Sequence, residues 1–280
     1  MRVQTYATRP MPPTQGWQAK LDLAFAKPAD MTVLVRRQHH GPLVIQRPFY
    51  PEGEVCHVYL LHPPGGVVGG DVLQINIAAE SSSHALLTTP AVGKFYRSAG
   101  LWAAQTIEID IDDDAAIEWL PQETIVYQGA QLKSRMKLNL SGAGRFIGWE
   151  LFTLGRPASG EGFNAGAVDL NWHIAADGKP LLIERLRLDQ NAFKAKWGLQ
   201  NFAACGTLFA KPAGKQLLTA VQTLIGDAPY RGVTLIDDIL VCRALDQRCD
   251  RLRAFFEDVY TLLRPEVIGK KICTPRIWAT

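Results

Sequence analysis

The sequence lacks the features that define several common classes of protein. Its five cysteines are scattered, odd in number and without a Cys-x-x-Cys pair, which argues against a disulfide framework or structural zinc and fits a reducing compartment. No apolar run approaches the roughly 18 residues that span a bilayer, and residues 1–13 contain no apolar signal-peptide core. We therefore expect a cytoplasmic protein with no membrane association.

The sequence also has little excess of positive over negative charge. The chain has 30 Lys and Arg residues against 27 Asp and Glu residues, a formal net charge of +3, and no basic block. This balance gives no support to binding of nucleic acid or of an anionic membrane surface. With 47% hydrophobic and 20% charged residues among 280, the composition is that of a folded domain that can bury a large core.

Motifs that carry common enzymatic or metal chemistry are missing as well. The sequence contains no G-x-S-x-G nucleophile elbow and no H-E-x-x-H zinc motif. No histidine pair has the spacing of a stable metal site, and the adjacent Cys56 and His57 would point to opposite faces of a strand. We predict no catalytic residue and no stable metal site. Weak, transient contacts with a metal ion leave little trace in a sequence, so this alternative stays open.

A dense run of glycine and proline between residues 62 and 71 is the most distinctive local feature. The run HPPGGVVGGD predicts a specific loop built on four glycines, Gly65, Gly66, Gly69 and Gly70. Phosphate binding is excluded because a P-loop needs lysine after its second glycine, and Asp71 stands there. Asp71 could instead hold the turn by accepting backbone amides, which is the common role of Asp beside Gly.

Hydrophobic residues recur with a period of two along most of the chain, which is typical of half-buried strands. Clear examples are Leu73, Ile75 and Ile77; Ile107, Ile109 and Ile111; and Val168, Leu170, Trp172 and Ile174. Asp177-Gly178 predicts a hairpin. Because strands follow one another without helices to about Asp189, the pattern favours a layered antiparallel architecture over a doubly wound α/β fold.

Helical spacing is confined to the C-terminal part of the sequence. One helix is predicted over residues 217–225, stopped by Gly226. A second is predicted from a cap at Asp246 to Pro265, with an apolar stripe that includes Leu262, and a strand is expected over residues 239–245 between the two.

Four glutamates lie at strand ends or in loops beside apolar neighbours: Glu123, Glu150, Glu161 and Glu184. Two of them could form a glycosidase-like carboxylate pair. The alternative, which the sequence favours, is ion pairing with Arg156, Arg185 and Arg187.

Six segments resemble one known family in their order and spacing. They are HPPGGVVGGD (62–71), LLTTPAVGKFYRS (86–98), EWLPQETIVYQGA (118–130), GWELFTLGRPASGEGF (148–163), PLLIERLRLD (180–189) and LLRPEVIGKK…PRIW (262–278). The chain strongly resembles the urease accessory protein UreD family, called UreH in some species. The resemblance covers residues 17–278 and is least specific over residues 191–250.

The resemblance implies a mainly β fold: stacked antiparallel or mixed sheets in a β-helix-like layered domain, with two helices near the C-terminus. We expect a flexible N-terminal arm, residues 1–16, and one UreD-like domain, residues 17–280. The implied role is that of a metallochaperone scaffold rather than an enzyme. It would bridge apo-urease to UreF and the GTPase UreG in a two-fold symmetric complex. It would help to deliver nickel to the urease active site through an internal channel, with no stably bound cofactor.

The resemblance also supplies the candidate site residues. Asp71 and Glu184 correspond to acidic positions associated with the family's proposed nickel channel, and Glu161 and His62 are lesser candidates. Oxygen ligands hold Ni²⁺ less tightly than imidazole or thiolate clusters, and an ion in transit must leave each position readily. Two other readings stay open: a β-rich hydrolase with paired carboxylates, and a scaffold that never contacts nickel.

Overall fold

The computed structural model describes residues 16–279, so all but the last residue of the predicted arm lies outside the described residues. In chain order the strands are Gln18–Ala26 (β1), Val33–His40 (β2), Val44–Ile45 (β3), Cys56–Leu61 (β4), Val72–Ala79 (β5), His84–Thr88 (β6), Gly93–Phe95 (β7), Ala103–Ile111 (β8), Ala116–Trp119 (β9), Thr124–Val126 (β10), Gln131–Leu140 (β11), Arg145–Leu154 (β12), Ala167–Ala176 (β13), Lys179–Leu188 (β14), Ala204–Lys211 (β15), Arg231–Ile236 (β16) and Ile239–Asp246 (β17). The helices are Gln190–Lys194 (α1), Lys215–Ile225 (α2) and Cys249–Val267 (α3).

The strands form two stacked sheets. The seven-stranded sheet has the order β14-β13-β11-β8-β5-β1-β2. The ten-stranded sheet has the order β16-β17-β15-β12-β9-β6-β4-β3, with β10 and β7 attached beside β12. Between β4 and β13 the chain passes repeatedly from one sheet to the other and adds parallel strands to both, as in a solenoid. The predicted layered, mixed-sheet fold is confirmed.

The central strands are parallel, although the alternating pattern favoured antiparallel pairing. Parallel sheets are usually covered on both faces and therefore read as continuous apolar runs. Here the outer face of the seven-stranded sheet meets solvent and carries polar contacts such as the 2.6 Å bond that Asn139 donates to Asp110. Its strands therefore keep a period of two, as in the alternately buried β5, whatever their direction.

The ten-stranded sheet is covered on both faces. Strand β12 is almost entirely buried, with Phe146 and Phe152 in the core between the sheets and Ile147 and Trp149 in a second core under α2 and α3. Even-numbered residues of β12 therefore point to the space between the sheets. This parity places Glu150 on the inner face of the sheet.

The hairpin predicted at Asp177-Gly178 is confirmed: it joins β13 to β14, and both residues have positive φ, +48° and +73°. The helix predicted over residues 217–225 is confirmed as α2, which ends at Gly226. The five-residue α1, capped by Asp189, was not predicted.

The boundaries of α3 differ from the prediction at both ends. The helix begins at Cys249, and the Asp246 carboxylate accepts the Arg248 amide 2.9 Å away before the helix starts. It continues past Pro265 to Val267, and the Ile268 amide donates to the Arg264 carbonyl at 2.9 Å at its end. Its apolar stripe packs on the chain's own sheet, except for Leu262, which is 38% exposed. None of the helices within residues 16–279 combines the length and apolar content needed to cross a bilayer.

Candidate functional site

The loop of residues 62–71 joins β4 to β5 and is fastened by Asp71. One carboxylate oxygen accepts the Trp17 amide at 2.8 Å, and the other accepts the Val68 amide at 2.9 Å. The residue is only 6% exposed. The geometry gives Asp71 the turn-holding role, and both oxygens that a metal ion would use already accept backbone amides.

Three of the four loop glycines are required by their surroundings. A Cβ added at Gly66 would lie 2.3 Å from the ring of Tyr96, and one at Gly69 would lie 2.3 Å from a serine hydroxyl oxygen. Gly70 has φ +96°, which side chains rarely adopt. Gly65 meets neither constraint, since the nearest atom to an added Cβ lies 3.9 Å away.

A first cavity, of about 220 Å³, lies between the two sheets directly below this loop. Its lining is largely apolar and includes residues 62–67, with Ile75 and Ile107 from one sheet and Trp119 from the other. His62 lines it; burial lowers the pKa of this imidazole, and the nearby Asp71 charge opposes that shift.

A second cavity, of about 430 Å³, lies farther along the same inter-sheet space. Glu184 lines it and forms an ion pair with Arg243 across the gap between the sheets. The partner of Glu184 is therefore not one of the arginines expected from the sequence. Arg185 binds Asp169 instead, with its Nε 2.8 Å from the carboxylate.

Glu150 lines both cavities and stands between them. It is 6% exposed and accepts a 2.5 Å hydrogen bond from the indole nitrogen of Trp172. Within the described part of the chain, no cationic side chain pairs with it. Burial therefore dominates and raises the pKa of the Glu150 carboxyl to about 7.

Glu161 lines neither cavity. Its carboxylate binds Arg156, whose Nε lies 2.9 Å away, and accepts the Gln128 amide at 2.9 Å. The ion pair favoured from the sequence is confirmed here. Of the four candidates, the structure therefore places His62 and Glu184 on the inter-sheet cavities, Asp71 in the loop above them, and Glu161 elsewhere.

The arrangement offers an imidazole, a buried carboxylate and an outer carboxylate, in the order His62, Glu150 and Glu184, along one internal space. Oxygen and imidazole donors of this kind suit brief contact with a divalent ion. Sequence reasoning named Glu150 only as one of four glutamates. The signal that could have singled it out is its parity: it shares the inner-facing positions of β12 with Phe146 and Phe152.

Comparison with known proteins identifies the family. A sequence model described as UreD urease accessory protein matches residues 18–279. A protein named urease accessory protein UreD from Alcanivorax borkumensis is 44% identical over 275 residues, which cover 95% of this chain and 93% of that protein. Proteins of the same name are 42% identical in Citrobacter koseri, over 95% of this chain and 93% of the relative, and 40% identical in Klebsiella aerogenes, over 96% of this chain and 100% of the relative. This chain belongs to the UreD urease accessory protein family.

Proposed function

We propose that this protein serves urease maturation as a scaffold that bridges apo-urease to UreF and the GTPase UreG and conducts nickel toward the urease active site. Family membership over nearly the whole chain supports the accessory role, and the relatives carry the name accessory protein rather than that of an enzyme. A cytoplasmic location and a two-fold symmetric complex remain predictions.

The observation that carries the nickel part of the proposal is the position of Glu150, shared by two cavities that lie end to end between the sheets. An ion entering beside His62 would meet the Glu150 carboxylate next and Glu184 last. This order gives a route through the molecule in place of a single binding site.

The chemistry of Glu150 suits a point of passage. With a pKa of about 7, its carboxyl exchanges a proton readily near neutral pH, so an arriving cation can replace that proton. A single buried carboxylate binds Ni²⁺ more weakly than a set of imidazoles or thiolates would. Weak binding favours onward movement.

Charged side chains lie at both ends of the proposed route. Glu184 is 28% exposed at its side chain and is neutralised by Arg243, so nickel there competes with the guanidinium. Asp71 enters the proposal through its charge beside His62. A direct nickel contact at Asp71 requires one of its two amide bonds to open.

The test replaces Glu150 with Gln in cells that express urease, UreF and UreG, and measures both assembly of the complex and urease activity. Gln keeps the bond from Trp172 but removes the ionisable oxygen. We expect normal assembly and a drop in urease activation of at least about tenfold, since removing even an outer-sphere partner of a metal ligand costs about 10-fold to 100-fold. Glu161→Gln is the matched control, because Glu161 lines neither cavity.

Full urease activation by an assembled Glu150→Gln complex would refute the nickel route and leave a pure scaffold. The hydrolase reading has one observation in its favour, because Glu150, with a raised pKa, and Glu184, paired with Arg243, line the same cavity. That reading predicts turnover by the chain alone, without urease or its other accessory proteins. Activity that appears only when all partners are present would exclude it.

A further inference from the structure

The outer face of the ten-stranded sheet carries a buried ionic network under α3, on the opposite side from both cavities. At its centre is Glu118 of β9, whose side chain is fully buried. The Arg264 Nε donates to it at 2.9 Å, the Tyr260 hydroxyl at 2.5 Å, and His84 Nε2 lies 2.8 Å away. A charge buried this deeply is stable only when it is paired and hydrogen-bonded.

The network continues from Arg264 to the loop that precedes β4. Arg264 Nη2 donates to Oε1 of Glu52 at 2.7 Å, and His57 Nε2 lies 2.7 Å from the same oxygen. His57 is 1% exposed. Its second ring nitrogen, Nδ1, is buried with no hydrogen-bond partner among the described residues. An unpaired buried polar atom is uncommon, and an ordered water or ion is one explanation for it.

Cys273, in the segment that follows α3, completes a cluster of three different metal-binding groups. A ring nitrogen of His57, a carboxylate oxygen of Glu52 and the Cys273 sulfur lie within 4.8 Å of one another. Polar contacts to Glu52 among the described residues use Oε1, which leaves Oε2 for another ligand.

The carboxylates around the cluster share one cationic side chain. Glu118 and Glu52 both accept hydrogen bonds from the Arg264 guanidinium. An ion bound beside Glu52 would meet carboxylate, imidazole and sulfur donors in one place.

We propose that Glu52, His57 and Cys273 bind one divalent transition-metal ion, of the zinc or nickel class, which fastens the segment after α3 to the loop before β4. Binding releases the Cys273 thiol proton to solvent, and the metal–thiolate bond forms in its place. Thiolate and imidazole donors select ions of this class over Mg²⁺ or Ca²⁺. Arg264 acts behind Glu52, orienting the ligand carboxylate as outer-sphere partners do in metal sites.

The sequence alone predicts no stable metal site because recognisable ligand motifs lie within short stretches, whereas His57 and Cys273 are 216 positions apart. The proposed site is independent of the nickel route, since none of its three residues lines either cavity. It also supplies a thiolate ligand, which distinguishes it spectroscopically from a route made of carboxylates and one imidazole.

Cobalt(II) is a suitable probe because a thiolate–cobalt bond gives a near-ultraviolet charge-transfer band that carboxylate or imidazole ligation does not. The metal-free full chain, carried as a soluble fusion, is titrated with Co²⁺ and then with Zn²⁺ and Ni²⁺ as competitors. We expect the band to saturate at one equivalent and to disappear when Zn²⁺ or Ni²⁺ displaces cobalt. Cys273→Ser should abolish the band and weaken binding at least about tenfold.

Cys249→Ser and Cys205→Ser are the matched controls, because both thiols lie outside the cluster, and both should keep the band. His57→Gln should weaken Co²⁺ binding while keeping a thiolate band at high metal concentration. A native chain without a stoichiometric band would overturn the proposal. A band that survives in Cys273→Ser would also overturn it, as would loss of the band in either control variant. Circular dichroism verifies that every variant is folded.

Discussion

Two glutamates buried in the same ten-stranded sheet, on opposite faces, differ in charge. Glu118 faces α3, where Arg264 and His84 hold its pKa near 2 against the effect of burial. Glu150 faces the inter-sheet cavities, accepts one bond from Trp172, and has its pKa raised to about 7 by burial. Burial is alike in the two places, so the partners decide the charge. The outer face uses a charged pair for structure, whereas the inner face keeps an unpaired carboxyl of the kind found at functional sites.

The largest expected effect comes from breaking the outer network at Arg264. Arg264→Met leaves the fully buried Glu118 and the partly buried Glu52 without their cation, and removal of one partner from a buried ion pair destabilises a protein by about 3–5 kcal/mol. The free energy of unfolding, measured with urea at pH 7, checks this. Arg248→Ala is the control, because its pair with Asp250 is exposed at the start of the same helix and is expected to contribute less than about 1 kcal/mol. Equal losses of unfolding free energy in the two variants would show that the buried and the exposed ion pairs contribute alike.

The next largest effect is a pH dependence of stability caused by Glu150 on the inner face of the sheet. The pKa of Glu150 rises from 4.5 to about 7 on folding, so the folded state binds this proton more tightly than the unfolded chain. Its contribution to stability is present below pH 4.5 and is lost as pH rises to 7, a change of roughly 3 kcal/mol. Glu150→Gln should lack this decline when urea unfolding is followed from pH 5 to pH 8. The same decline in native and variant chains would exclude a raised pKa.

Glu118 should give stability the opposite dependence on pH. Its folded pKa of about 2 lies below the ordinary 4.5, so its contribution to stability is present above pH 4.5 and is lost as pH falls toward 2. Between pH 4.5 and pH 3 the native chain should lose about 2 kcal/mol that Glu118→Gln does not lose. Parallel acid curves for the two chains would show that Glu118 is not charged in the folded protein.

The smallest effect concerns the loop above the first cavity. Gly66→Ala places a methyl group 2.3 Å from the Tyr96 ring and should destabilise the chain by about 1–3 kcal/mol, as overpacking does. Gly65→Ala, one residue away, brings its methyl group no closer than 3.9 Å to another atom and should stay within about 0.5 kcal/mol of the native chain. Thermal unfolding of the two variants separates these outcomes, and equal stabilities would show that the loop glycines are interchangeable.

Local signals accounted for much of the fold. The Asp177-Gly178 hairpin, the period-two strands and the helix ending at Gly226 follow from contacts within a few residues of one another, which a sequence displays directly. The parallel pairing of the central strands could not be predicted in this way, because hydrophobic alternation shows which face of a strand is buried and not the direction of the neighbouring strand.

The candidate site was harder to predict from the sequence than the fold. His62 and Glu184 were identified through the family resemblance, but the pairing of Glu184 with Arg243 joins strands of different sheets and could not be read from spacing. Glu150 gains its properties from two cavities that form only when the sheets stack. Likewise, Glu118 and Arg264 meet only because α3 lies on the outer face of the sheet.

The proposed passage of nickel past Glu150 can be measured as the number of nickel atoms bound per urease active site. Purified complexes of equal assembly, native, Glu150→Gln or Glu161→Gln, are supplied with Ni²⁺, bicarbonate and GTP, and the re-isolated urease is analysed for metal. We expect native loading for Glu161→Gln and at least about tenfold slower loading for Glu150→Gln. Loading of urease at the native rate by a fully assembled Glu150→Gln complex would contradict it.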